Sequence, residues 1–216
     1  MTLKESVLMA NLYLKQSGLA HLHLGARALA DRNRTDPGVL MRELPTLEMI
    51  NLRGDPQNSY FTAALKSVNG IILPIIPNTF NCVKDHTKIL WLGPNEWLII
   101  NSLSTKPLFK RLCTSMKKLH SAVTEVGDGK TTIRLSGPNA RQVLSKGCSL
   151  DLHSEEFLPG HCAQTILGRS DIVVSRMPDA ANINIFDITV ARSYAAYTWA
   201  WLEDAAQEFE SQVIFF

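Results

Sequence analysis

The segment Gly127-Asp128-Gly129-Lys130-Thr131 contains the Gly-Lys-Thr sequence of a phosphate-binding loop. Such a loop also needs an earlier glycine, at the position that Thr124 occupies here, and it leads into a helix. In this chain the segment precedes an apolar alternation, which is the pattern of a strand. Asp-Gly is a strong hairpin signal, so the segment predicts a hairpin turn between two strands and no nucleotide site.

Cys148, His153, His161 and Cys162 carry the side chains that a zinc ion or a Cys–His catalytic pair would use. Their spacings match no compact zinc-ligand pattern. No neighbouring residue marks an activated thiolate. Cys148 follows a predicted helix and Cys162 opens a predicted strand, where free cysteine usually behaves as a small buried hydrophobe. We therefore expect reduced structural thiols.

Arg53-Gly54-Asp55 has the sequence of an adhesion tripeptide. It falls where a predicted strand gives way to a predicted helix, so we interpret it as a turn with Asp55 at the helix N-cap.

The segment 194–210 predicts a helix with two apolar faces. One face has the spacing of a core stripe and contains Ala195, Trp199, Leu202, Ala206 and Phe209. Tyr194, Tyr197 and Trp201 fall on a different face, and tyrosine and tryptophan are enriched at protein interfaces. We therefore predict that Tyr194, Tyr197 and Trp201 contact a partner. The alternative is that residues 1–24 of the same chain cover this face.

The composition limits the settings in which these residues act. Of 216 residues, 45% are hydrophobic and 19% are charged, as in ordinary globular proteins. The formal net charge of +2 gives no electrostatic reason to bind nucleic acid. The longest apolar run, 70–77, is too short for a membrane span, and the N-terminus lacks the pattern of a secretory leader. We expect a cytoplasmic protein that binds neither nucleic acid nor a membrane.

Two similar strand–turn–helix units organise the chain. Residues 50–56 and 133–138 each show an apolar alternation, then a glycine, then a proline. Each half of the chain then reads strand–helix–strands–helix. This order predicts an α+β fold of two pseudo-repeated half-modules with mainly antiparallel sheet. We place an N-terminal arm and loop at 1–38, the first half-module at 39–121 and the second at 122–216.

The periodicity also predicts the individual elements. Predicted strands lie at 47–52, 71–76, 80–83, 88–92, 96–101, 122–126, 131–135, 161–167, 172–176 and 183–191, and predicted helices at 56–68, 107–119, 138–146 and 194–210. Residues 21–24 alternate as an extended segment would, and 26–38 reads as a loop. The apolar residues 213–216 predict either an edge strand or a contact with a partner.

Several blocks of sequence resemble a single family. The blocks, in chain order, are Arg42-Glu43-Leu44-Pro45, Leu52-Arg53-Gly54-Asp55-Pro56, Trp91-Leu92-Gly93-Pro94-Asn95-Glu96-Trp97-Leu98, Leu135-Ser136-Gly137-Pro138, Gly147-Cys148-Ser149-Leu150-Asp151-Leu152, and Ala191-Arg192-Ser193-Tyr194-Ala195 with Trp201-Leu202. Together they resemble the gamma subunit of bacterial heterotetrameric sarcosine oxidase. Because the blocks are separate and keep their order, the resemblance is more specific than any one of them.

The resemblance implies a fold similar to the folate-binding domain of glycine-cleavage aminomethyltransferase. It also implies a complex that oxidatively demethylates sarcosine to glycine, with hydrogen peroxide, and passes the one-carbon unit to tetrahydrofolate. The partners would be the alpha, beta and delta subunits. In this family FAD, FMN and NAD are expected on the larger subunits, zinc on delta and tetrahydrofolate on alpha.

We therefore expect a non-catalytic structural gamma subunit with no catalytic, cofactor-binding or metal-binding residue of its own. The alternative is a folate or one-carbon binding module with its own pocket. The folate-binding relatives are expected to place a carboxylate on the pterin ring, and Asp128 and Asp187 are the two candidates for it here. A free-standing enzyme would need a reactive centre that no motif supplies.

Overall fold

The computed structural model describes residues 16–31, 37–45, 48–83, 87–102, 107–180 and 183–215. Within these ranges the chain forms eleven strands and five α-helices. The strands are β1 (Val39–Glu43), β2 (Glu48–Arg53), β3 (Phe80–Val83), β4 (Thr87–Gly93), β5 (Glu96–Asn101), β6 (Ala122–Glu125), β7 (Lys130–Gly137), β8 (Cys162–Leu167), β9 (Ser170–Ala180), β10 (Ile183–Ala191) and β11 (Ser211–Val213). The helices are α1 (Leu24–Ala30), α2 (Ser59–Asn69), α3 (Leu108–Met116), α4 (Ala140–Ser145) and α5 (Ala195–Ala206).

The strands form two sheets. One has six strands in the order β11-β1-β7-β10-β9-β8, and the other has five in the order β3-β4-β5-β2-β6. The parallel pair of β1 with β11 departs from the otherwise antiparallel pairing of these strands. This architecture confirms the predicted α+β class with mainly antiparallel sheet. The C-terminal edge strand β11 lies at Ser211–Val213, so it overlaps the predicted segment 213–216 only at Val213.

The two halves of the chain have the same strand order and exchange one strand. The run β3-β4-β5-β2 in one sheet matches β8-β9-β10-β7 in the other. The next strand is β6 in the first case and β1 in the second, so each half lends a strand to the sheet of the other. The boundaries that we placed at residues 38/39 and 121/122 therefore separate segments that share their sheets.

Apolar side chains divide the molecule into layers. The outer face of the six-stranded sheet packs on α4 and α5, and the outer face of the five-stranded sheet packs on α2 and α3. The inner faces meet around a smaller cluster formed by Met49, Phe80, Leu90, Leu98, Ile100, Cys162 and Val173. At one edge, Thr79 bridges His161 and joins the two sheets. The order is thus helices, sheet, sheet, helices.

The prediction that Asp55 is the N-cap of the helix at 56–68 is wrong. Asn58 caps α2, because its Oδ1 accepts hydrogen bonds from the backbone N–H groups of Tyr60 at 2.9 Å and Phe61 at 3.3 Å. Asp55 instead accepts a hydrogen bond from the N–H of Gln57, at 2.9 Å, within the turn before the helix. The helix ends at Asn69 and is followed by Gly70, whose φ of +68° suits a residue without a side chain.

The predicted hairpin at Gly127–Gly129 is also wrong. The segment is a 3-10 turn, but β6 and β7 on its two sides belong to different sheets. The turn therefore carries the chain from one sheet to the other. The local Asp-Gly signal identified a turn without revealing which strands the turn connects.

Three further local predictions differ from the structure. Residues 71–76 form a loop, which agrees with the inability of Pro74 to donate a hydrogen bond to a sheet. Residues 26–30 are helical within α1, and Ala20–Leu22 form a 3-10 turn in place of the extended segment at 21–24.

None of the helices among the described residues has both the length and the apolarity needed to cross a membrane.

Candidate functional site

The inner face of the six-stranded sheet carries a line of polar side chains. Arg42, Arg134, Asp187, Ser175 and Cys162 lie directly opposite one another on five neighbouring strands, in that order. We call these five residues the polar row. Its position follows from the strand alternation, because Ile133 and Leu135 point to the helix-covered core and Arg134 between them points inward.

Lys88 reaches the polar row from the opposite sheet. Its Nζ lies 2.8 Å from Asp187 Oδ2 and 2.9 Å from Ser175 Oγ. On the other side of the carboxylate, Arg134 donates from Nε to Asp187 Oδ1 at 2.6 Å and from Nη2 to Asp187 Oδ2 at 2.9 Å. Asp187 is therefore held by two cations from two different sheets.

The electrostatics of this group keep Asp187 ionised. Burial alone would raise the pKa of the carboxyl, but Lys88 and Arg134 outweigh it and lower the pKa to about 2. Burial lowers the pKa of the Arg42 guanidinium, and the neighbouring charge of Arg134 lowers it further. Burial alone would lower the pKa of the Arg134 guanidinium, but its hydrogen bonds to Asp187 and the negative charge of Asp187 outweigh this effect and raise the pKa.

A cavity of about 230 Å³ opens beside this ion group. Its charged lining residues are Lys88, Arg134 and Asp187, and the hydroxyl side chains that line it are Thr87, Ser102 and Thr132. Its remaining lining includes the apolar residues Leu44, Pro45, Ile100 and Met177. The structure thus places Asp187, one of the two predicted pterin carboxylates, in the wall of an inter-sheet cavity. Asp128, the other candidate, is exposed on the turn before β7 and lies outside the row.

The four residues considered for zinc or cysteine chemistry occupy different environments. Cys162 is buried and its Sγ donates to the carbonyl of Thr79 at 3.2 Å, while Cys148 is half-buried and lies 3.8 Å from Thr165 Oγ1. Burial raises the pKa of the Cys162 thiol to about 11. His153 is exposed. Over the described ranges, no group of three or more His, Cys, Asp and Glu residues is placed to hold a metal ion.

The predicted partner-contact residues differ in exposure. Tyr194 is 50% exposed, and Tyr197 is 38% exposed while its hydroxyl accepts a hydrogen bond from the N–H of Arg169 at 3.1 Å. Trp201 is half-buried, and its indole lies so close to Gly147 that this position has no room for a Cβ. At Gly168 the Tyr197 hydroxyl is the nearest atom, and the indole of Trp201 lies just beyond it. Trp201 thus packs on its own chain, while the two tyrosines remain accessible.

The first part of the chain lies beside the same helix. The Arg192 guanidinium donates to the carbonyls of Gln16 and Ser17, and Gly18 packs against Ala195. The alternative to a partner contact is that residues 1–24 cover the aromatic face. Residues 1–15 of that segment lie outside the described residues.

Sequence reasoning missed an exposed apolar loop. Ile72, Ile75 and Ile76 are between 62% and 73% exposed, although the same stretch buries Ile71 and Leu73. The loop is fixed from inside, because the buried Trp97 donates from Nε1 to the carbonyl of Pro74 at 2.9 Å. The apolar run alone predicts a strand here, which is wrong. The pair of prolines at 74 and 77 was the signal for a shaped loop.

The fold places the chain in a known structural class. Glycine cleavage system aminomethyltransferase T from Bartonella henselae superposes with a TM-score of 0.66 over 93% of this chain and 59% of that protein, at 16% identity. The likeness establishes an aminomethyltransferase-like fold. The model of the "Sarcosine oxidase, gamma subunit family" matches residues 53–208, which is well over half of the sequence. The chain belongs to the sarcosine oxidase gamma subunit family.

Individual relatives agree with this assignment over nearly their full length. Sarcosine oxidase subunit gamma of Corynebacterium sp. (strain U-96) is 28% identical over 88% of this chain and 89% of its own. The Arthrobacter sp. subunit gamma is 28% identical over 93% and 94%. A chain in the structure of heterotetrameric sarcosine oxidase from Corynebacterium sp. U-96, solved with pyrrole 2-carboxylate, superposes with a TM-score of 0.80 at 27% identity, covering 94% of this chain and 100% of that one.

Proposed function

We propose that the chain is the gamma subunit of a heterotetrameric sarcosine oxidase and assembles with alpha, beta and delta subunits. The complex would oxidatively demethylate sarcosine to glycine and transfer the one-carbon unit to tetrahydrofolate. The observation that carries this proposal is structural: one chain of a solved heterotetramer superposes on this chain over the whole of its own length.

Within the complex the chain is a structural, non-catalytic subunit. A general acid or base works best with a pKa near the operating pH, and Asp187 has a pKa of about 2. A nucleophilic cysteine needs a thiolate, and the pKa of Cys162 is about 11. These two buried groups are therefore held in unreactive forms at neutral pH. FAD, FMN, NAD, zinc and tetrahydrofolate would all be bound by the partner subunits.

Docking would use the exposed aromatic surface at the start of α5. It is formed by Tyr194, which directly precedes the helix, and by Tyr197 and the half-buried Trp201 within it. Each tyrosine combines apolar area with a polar tip, which suits a protein interface. The exposed loop at Ile72, Ile75 and Ile76 offers a second apolar surface, since ordered apolar patches on a soluble protein often mark contacts with other proteins.

The test is co-expression of the tagged chain with the three partner subunits, followed by affinity purification. The wild-type chain should retain a flavin-containing assembly. Tyr194→Ala should weaken retention, because loss of an interface hot spot typically costs about 2 kcal/mol or more. Tyr60→Ala is the matched control, because Tyr60 is an exposed helical tyrosine at 77% exposure on the other half of the molecule. Equal retention by wild type and Tyr194→Ala would reject this face as the docking surface.

A folate-binding module remains the second candidate, because Asp187 lines a cavity as a pterin carboxylate would. Two features of the geometry weigh against it. Both Asp187 oxygens already accept hydrogen bonds from Lys88 and Arg134, and a cavity of about 230 Å³ is smaller than the range of about 300–1,000 Å³ that drug-sized ligands occupy. Titration of the purified chain with tetrahydrofolate decides the question, and saturable micromolar binding would favour the module.

A further inference from the structure

We propose that the inter-sheet cavity binds a small organic carboxylate on Arg134. Lys88 and Arg134 contribute two positive charges to its wall and Asp187 contributes one negative charge, which leaves a net charge of +1 on this trio. Charge that is removed from bulk water is costly unless it is compensated. A monoanion in the cavity would neutralise the trio.

The hydrogen-bonding capacity of the trio identifies the group that would hold the anion. Lys88 uses its donors on Asp187, Ser175 and, at 3.8 Å, the sulfur of Met177. Arg134 uses Nε and Nη2 on Asp187, and its Nη1 has no hydrogen-bond partner among the described residues. The Arg134 side chain keeps 24% exposure and lines the cavity. Its second guanidinium edge can therefore bind a planar carboxylate through two hydrogen bonds.

The apolar part of the lining favours a carboxylate with a short apolar body. Leu44, Pro45, Ile100 and Met177 face the same space as the charged residues. Mostly apolar walls with a few placed polar groups are typical of small-molecule sites. Inorganic phosphate offers no apolar surface to these walls. The volume of about 230 Å³ suits a short-chain acid and excludes a ligand as large as a folate.

The experiment is a calorimetric titration of the full chain with butyrate at neutral pH. Wild type should bind butyrate saturably, and Arg134→Gln should bind it at least tenfold more weakly. Arg53→Gln is the matched control. Arg53 pairs directly across an antiparallel strand pair with Glu96, as Arg134 does with Asp187, but its side chain is 60% exposed and lines no part of this cavity. The control should bind butyrate as wild type does.

A second variant keeps the test decisive if Arg134→Gln fails to fold. Met177→Phe leaves all three charges in place and fills the cavity, so it should also abolish butyrate binding. The inference is overturned if wild type shows no saturable butyrate binding, if a folded Arg134→Gln or Met177→Phe chain binds normally, or if phosphate binds better than butyrate. Assembly with partner subunits is measured separately, so failure here leaves the proposed function intact.

Discussion

The two sheets have the same strand order but differ sharply on their facing surfaces. The row that matches the polar row in the five-stranded sheet contains Thr124, Asn51, Leu98, Leu90 and Phe80. Position by position, Asn51 corresponds to Arg134, Leu98 to Asp187 and Leu90 to Ser175. One half therefore closes the inter-sheet space with leucine and phenylalanine, and the other half places an ion pair there.

The difference separates ordinary apolar packing between the two sheets from the ion group, which only the polar row has. Leu90, Leu98 and Phe80 belong to the apolar cluster that joins the sheets, so this half of the interface is ordinary packing. Asp187 and its cations are an exception within the same framework. A buried ion pair often stabilises a protein no more than apolar residues of similar volume do. Binding explains the polar row better than stability does.

The largest effect is expected when Asp187 is replaced by leucine, the residue that stands at the matching position, Leu98, of the other sheet. Asp187→Leu would leave Lys88 and Arg134 facing each other in a buried site without their anion. Removing one partner of a buried ion pair typically costs about 3–5 kcal/mol. We expect a loss of this size in the free energy of unfolding, measured by urea denaturation at pH 7.

A triple variant shows whether the comparison between the rows is correct. Lys88→Val, Arg134→Asn and Asp187→Leu together reproduce residues that stand at the matching positions of the other sheet, namely Val173, Asn51 and Leu98. With all three charges of the ion group removed, this variant should recover most of the stability lost in Asp187→Leu. A triple variant as unstable as the single one would show that the rows are not interchangeable.

A smaller effect is expected from acid. Because the pKa of Asp187 falls from 3.8 in the unfolded chain to about 2 in the fold, its contribution is complete above about pH 4 and is lost as the pH falls through about 2. A shift of this size corresponds to about 2 kcal/mol. The difference in unfolding free energy between wild type and Asp187→Asn should shrink by about that amount from pH 5 to pH 2. A difference that stays constant with pH would contradict the ion pairing.

The matching helices offer a comparison of about 1 kcal/mol. Asn58 caps α2 with its side chain, whereas Asn139, at the same place before α4, donates from Nδ2 to Gln142 and makes no cap hydrogen bond. Asn58→Ala should lower the free energy of unfolding by about 1 kcal/mol. Asn139→Ala should change it little. The two variants are compared by thermal and urea unfolding, and equal losses would refute the assignment of the cap.

The smallest expected effect is a difference in cysteine reactivity, which involves no change in stability. Cys82 and Cys113, in the first half, are exposed, while Cys162 is buried with its pKa raised to about 11. In the native chain at pH 8, iodoacetamide should label the two exposed cysteines and leave Cys162 unlabelled. Peptide mass spectrometry measures the extent at each site. Early labelling of Cys162 would show that the inter-sheet face opens readily.

Local patterns were enough to predict much of the fold, because strand alternation and turn residues act over short distances. The predicted strands 96–101 and 183–191 have the observed bounds. The strand exchange was not predictable in this way, since β1 pairs with β7 and β6 with β2 across long stretches of chain. The same limit applies to Lys88 and Asp187, which are 99 residues apart.

The sequence contained a partial signal for the polar row. Asp187 stands between Phe186 and Ile188 in an apolar strand, and Lys88 precedes the apolar run that begins at Ile89. A charge within a buried strand requires a partner of opposite charge. This argument could have raised Asp187 above Asp128 as a candidate, although it could not have identified which cations bind it.

We propose that this chain contributes a docking surface to an oxidase complex and that the reactive centre lies on the partner subunits. The most direct test measures hydrogen peroxide formation from sarcosine by the purified chain and by the assembly reconstituted with its flavin-bearing partners. We predict turnover by the assembly and none above background by the isolated chain. Sustained turnover of sarcosine by the isolated chain would contradict the claim.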